Sequence, residues 1–88
     1  LLALACLNSS RFEQRYATEF CQYAKDCEVL DLEGFSTMQA CESEAAILPE
    51  DCEAFNRKNG RECLTKLAVM TCEAGQSGPP KVCNDVCD

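Results

Sequence analysis

No histidine and no tryptophan occurs among the 88 residues. Missing histidine removes the side chain most often used as a general base and a frequent zinc ligand. Gly-x-Ser-x-Gly, a phosphate-cradling P-loop and Cys-x-x-Cys are absent as well, which takes away nucleophile-elbow, nucleotide and thioredoxin-like chemistry. Asp31-Leu32-Glu33-Gly34 lacks the alternating oxygen ligands, central Gly and late Glu of a calcium loop. The carboxylates lie in hydrophilic runs, without the apolar burial that lifts a carboxyl pKa for acid/base work. These absences lead to an expectation of no catalysis, no cofactor and no bound metal.

Positive charge is also short. Eight Lys and Arg stand against 15 Asp and Glu, for a net charge of -7, which argues against nucleic acid and against electrostatic attachment to an anionic membrane. Between Lys25 and Arg57 there are nine acids and no base, after which Arg57, Lys58, Arg61 and Lys66 follow closely. A solvated surface accounts for such a run. Its acids Glu42, Glu44, Glu50, Asp51 and Glu53 are the candidate interaction face for a cationic partner.

Cysteine is abundant where so much else is missing. There are nine, a proportion of roughly a tenth that reads as a disulfide scaffold made in an oxidising compartment. So small a domain buries only about 60% of its unfolded surface and needs staples. Each native bridge supplies about 2–4 kcal/mol. Cys21, Cys27, Cys41, Cys52, Cys63, Cys72, Cys83 and Cys87 form an even set, expected to make four disulfides. Eight cysteines admit roughly 100 pairings, so connectivity stays open. Zinc sites present Cys-x(2–4)-Cys knuckles in pairs, and here only Cys83-x3-Cys87 is close.

Cys6 is the remainder. It follows the apolar run Leu1-Leu2-Ala3-Leu4-Ala5, which is too short to span a bilayer and reads as the end of a signal peptide. Ala3-Leu4-Ala5 has the small-x-small form cut by ordinary signal peptidase. It also resembles a bacterial lipobox, with Ala3 where such boxes usually carry Leu. In that reading Cys6 is acylated, Asn8-Ser9-Ser10 is a tether, and residues 1–10 lie outside the folded domain, 11–88. Otherwise Cys6 is free or cross-linked between chains.

The expected fold is all-α, a small disulfide-stapled bundle of about four short helices plus a C-terminal helical turn. Ser10 caps a first helix over Arg11–Cys27, whose stripe Phe12, Tyr16, Phe20, Tyr23 and Cys27 has helical spacing and holds four of the six aromatics. Gly34 breaks the chain, and Ser36 with Gln39 forms a capping box for a second helix over Thr37–Ile47. Pro49 starts a third, to Arg57, carrying Cys52. After an Asn59-Gly60 turn, Asn59 and Glu62 cap a fourth helix over Gly60–Cys72, its inner face formed by Cys63, Leu64, Leu67, Ala68, Met70 and Thr71. Residues 75–80 read as a loop. Lys81–Asp88 should then place Cys83 and Cys87 on one side. No segment alternates as a strand does.

The series Phe20-Cys21-x5-Cys27, Gly34-Phe35-Ser36-x4-Cys41, Pro49-x2-Cys52, Cys63-Leu64-x7-Cys72 and Pro80-x2-Cys83-Asn84-Asp85-Val86-Cys87 resembles small cysteine-rich lipoproteins of myxobacterial and related genomes. The resemblance covers about residues 12 to 88. It implies a place at the periplasmic face of the envelope or at the cell surface, and no reaction. The expected function is that of an exported, envelope-tethered binding module acting on an unidentified protein or envelope partner, joined to the membrane only through an acylated Cys6. The alternative is a diffusible secreted signal, inhibitor or toxin-like protein without an anchor.

Overall fold

A computed structural model of the chain describes residues 7–88. Helix α1 (Ser9–Asp26) starts two residues earlier than expected, because Asn8 rather than Ser10 is the cap. The Asn8 side-chain oxygen Oδ1 accepts from the Arg11 N–H at 2.9 Å, satisfying one donor that a helix start leaves unpaired. Phe12 is fully buried and Tyr16 and Tyr23 nearly so, with Phe20 half-buried beside them. The Tyr16 and Phe20 rings stack with centroids 6.0 Å apart. The aromatic stripe is therefore core, and α1 is the spine on which the rest is laid.

Cys27 ends the helix, and Glu28 follows at φ 57. The Glu28 N–H donates to the Lys25 carbonyl and the Val29 N–H to that of Ala24. This is the bond pair of a Schellman ending, with Glu28 where glycine normally sits. A second turn of the same form follows at once. The Phe35 N–H reaches the Leu30 carbonyl and the Gly34 N–H that of Asp31, with Gly34 at φ 91. The acidic tip Asp31-Leu32-Glu33 thus stands out on a closed turn.

Helix α2 (Met38–Glu44) is shorter than the expected Thr37–Ile47. Its cap is Thr37, whose hydroxyl accepts from Ala40 at 3.0 Å, in place of the expected Ser36 box. Ala45 turns extended, which lets Ile47 and Leu48 fold back onto the core. The expected third helix, Pro49–Arg57, does not form. Only one turn closes there, from the Cys52 N–H to the Pro49 carbonyl at 3.1 Å. The following residues run extended because the C-terminus claims them. Asn56 N–H donates to Val86 O at 2.7 Å and Asp88 N–H to Ala54 O at 2.8 Å, around an isolated antiparallel bridge of Phe55 with Cys87.

Helix α3 (Arg57–Ala68) is displaced towards the N-terminus relative to the expected Gly60–Cys72. Asn56 caps it, accepting from Asn59 at 3.0 Å. Asn59, expected as cap, lies inside the helix and donates its amide to the Asp85 carbonyl at 2.8 Å. Gly60 faces inward, where a Cβ would come within 2.5 Å of the Phe55 ring and 3.3 Å of Phe12. A fourth, unexpected helix, α4 (Cys72–Gly75), is capped by the Thr71 hydroxyl; Thr71 is exposed instead of lining an inner face. The chain ends in a 3-10 turn over Lys81–Asp85. Because that turn stops before Cys87, the two last cysteines do not share a side. Cys83 enters the core and Cys87 pairs beside Phe55.

Four disulfides join these pieces: Cys21–Cys41, Cys27–Cys72, Cys52–Cys87 and Cys63–Cys83. The first and last have both partners fully buried. The described residues form an all-α fold, with four helices, a 3-10 turn and no strand. Helices α1 and α3 lie alongside and run the same way, since Phe12 meets Phe55 and Gly60 at one end while Tyr23 and Cys27 meet Cys72 at the other. At about 1.5 Å per residue α1 is about 27 Å long, against a greatest extent of 32 Å. It defines two poles, one at Ser9 and one at Cys27.

Candidate interaction surfaces

Between Leu48 and Phe55 the chain crosses the first turns of α1, held there by both side chains packing on the core and by the Cys52–Cys87 bridge. The crossing leaves an open groove of about 460 Å³. Glu50 and Glu53 line it from the crossing segment, and Glu13 with Ser9 and Ser10 from α1. Leu48, Pro49 and Phe55 supply an apolar part of the wall. Three carboxylates lining one concave surface favour a cationic side chain there, and low-dielectric walls concentrate that field.

The sequence-predicted face is divided by the fold. Glu50 and Glu53 both line the groove, Asp51 is exposed on the same turn without lining it, and Glu42 and Glu44 stand exposed on α2. Glu13, Ser9 and Ser10 were not visible as members. They join only because the 48–55 segment is pinned across α1, and nothing in their local sequence signals that crossing. The lipid-attachment candidate Cys6 lies outside the described residues. The eight remaining cysteines are all consumed in disulfides, as four intramolecular pairs.

The interior is without charge. Among the described residues no charged side chain is buried, and no buried side-chain nitrogen or oxygen lacks a partner. The Tyr16 phenol is nearly enclosed; burial, with the Glu33 carboxylate adding to it, pushes its pKa up to about 12. It therefore stays neutral near pH 7, as a core residue. No three His, Cys, Asp or Glu side chains among the described residues are grouped to hold a metal ion. No described helix is long and apolar enough to cross a membrane.

At the other pole a second groove, of about 440 Å³, lies between the end of α3 and the Pro79-Pro80 segment. Val69, Met70, Pro79 and Pro80 give it an apolar floor, and Lys66 and Lys81 stand at its margin. The sequence offered Gly78-Pro79-Pro80 as a loop and gave no sign that its prolines would face α3. Compared with known proteins, the chain matches no family model, no curated protein and no solved structure.

Proposed function

We propose that the chain is a non-enzymatic, exported binding module, tethered to the bacterial cell envelope through an acylated Cys6, which receives a cationic partner in the Glu13–Glu50–Glu53 groove. The observation that carries this reading is the separation between interior and surface. Among the described residues the interior is apolar side chains and disulfides with no buried charge, whereas three carboxylates line one open groove. Four disulfides belong to a protein folded in an oxidising compartment, which fits export. They also hold the groove in shape before a partner arrives, reducing the ordering cost of binding. The likeness of the cysteine series to small envelope lipoproteins supports the tether, as does the lipobox-like stretch before Cys6. In that setting the Ser9 pole faces the membrane and the Cys27 pole points away.

Two measurements test the proposal. Intact mass spectrometry of the native protein should show a lipid adduct on Cys6. A mature start beyond Cys6 without an adduct would remove the tether and leave a diffusible secreted protein. For the groove, calorimetric titration with an arginine-rich peptide should weaken at least tenfold in Glu50→Gln/Glu53→Gln, while Glu42→Gln/Glu44→Gln binds as the parent does. Equal weakening by both pairs would reduce the attraction to net charge alone.

A further inference from the structure

Two large apolar side chains stand well out of the described surface, Leu32 at 83% exposure and Val69 at 76%. They have opposite surroundings. Leu32 is the centre of the acidic tip Asp31-Leu32-Glu33, on the turn closed by Gly34. Val69 borders the apolar groove that Lys66 and Lys81 flank. One is a knob with negative neighbours, and the other opens onto a socket with positive neighbours. Lys66 already meets Glu62 at 3.3 Å, but that pair is exposed on both sides and holds little, leaving the ammonium with donors to spare.

Knob and socket also share a pole. The acidic tip is tied to the last turns of α1, Glu33 N–H donating to Val29 O and Val29 N–H to Ala24 O. Thr71 and Ala74 in the groove wall stand on either side, in the chain, of Cys72, the partner of Cys27. A feature and its complement at the same end of a molecule permit a two-fold arrangement in which each copy gives its knob and receives the other's. We propose that the protein pairs with a second copy of itself through this pole, Leu32 of each chain seated on the Val69–Met70 groove of the other and Asp31 and Glu33 set against Lys66 and Lys81. The complement to this socket lies on the same chain, which is why the occupant is a second copy. The contact uses neither Cys6 nor the acidic groove, so a tethered protein could pair by it while the Ser9 pole stays at the membrane.

The test is sedimentation velocity of the full oxidised chain, with Cys6 capped by alkylation without reductant, over a concentration series to the millimolar range. The weight-average mass should rise towards twice that of the monomer and no further. Leu32→Asp should weaken pairing at least tenfold. Two charge-reversed variants, Asp31→Lys/Glu33→Lys and Lys66→Glu/Lys81→Glu, should each be monomeric alone, because like charges then face each other at both contacts. Mixed, they should pair again, since each contact of the mixed dimer regains opposite charges. Circular dichroism should show both variants folded, their changes lying at exposed positions. A parent that stays monomeric at every concentration, a dimer indifferent to Leu32→Asp, growth beyond two copies, or no recovery on mixing would each overturn the proposal.

Discussion

Glu28 holds a left-handed backbone, φ 57, at the position that ends α1. An L side chain there costs about 1–2 kcal/mol, a cost glycine avoids. It also sets a carboxylate beside the negative end of the helix. Glu28→Gly should therefore raise stability by about 1 kcal/mol, measured by denaturant unfolding without reductant; no change or a loss would refute the assignment of strain. Tyr16 makes a second residue-level prediction. Its phenol is raised to about 12 in the folded protein, against about 10 in an unfolded chain. Between those values the unfolded state gives up a proton that the folded state keeps. Stability is thus intact below about pH 10 and declines as the pH rises towards 12. Absorbance titration of Tyr23→Phe should show one phenol ionising near 12, and Tyr16→Phe should flatten the alkaline decline. Ionisation near 10 in the folded state would place Tyr16 in water.

Among the elements, α1, α3, a shortened α2 and the C-terminal helical turn were legible, whereas the Pro49–Arg57 segment and α4 were not. The α1 stripe was readable because Phe12, Tyr16 and Tyr23 recur at helical spacing and are the largest apolar groups available to a small core. The Pro49–Arg57 segment misled because Pro49, Glu50 and Asp51 make a good helix start, while residues 54–56 are committed to the C-terminal segment, Asn56 N–H donating to Val86 O and Ala54 O accepting from Asp88 N–H. Tertiary pairing overrode a local preference. Asn59 misled in the same way: its amide is needed at the Asp85 carbonyl, so the cap passes to Asn56. Gly60 looked like a turn residue and is instead the point where α3 approaches two rings. Gly60→Ala should destabilise by about 1–3 kcal/mol through overpacking, although alanine is the better helix former by about 1 kcal/mol. A stabilised variant would mean that the rings move aside freely.

For the whole molecule, the even set of eight cysteines announced a stapled scaffold, but their partners depend on how the helices lie. Cys27 and Cys72 are 45 positions apart and meet because α1 and α3 run the same way. Cys52 and Cys87 meet because the two segments around Phe55 pair. Neither arrangement is written in spacing. The acidic groove was legible in half for the same reason, Glu50 and Glu53 from their run and Glu13 only from the fold. The bridges also hold the two poles in place: Cys52–Cys87 fixes the crossing over α1, and Cys27–Cys72 joins the end of α1 to the start of α4. Cys27→Ser/Cys72→Ser should cost about 2–4 kcal/mol by the loop it opens, and should weaken pairing at the Cys27 pole while leaving the Glu13–Glu50–Glu53 groove able to bind. Loss at both surfaces alike would show that the poles are not held separately. The most direct test of the scaffold is peptide mapping of the native, unreduced protein. It should recover Cys21–Cys41, Cys27–Cys72, Cys52–Cys87 and Cys63–Cys83 as the linked pairs, with no alkylatable thiol among these eight; a different pairing, or free thiols among them, would contradict it.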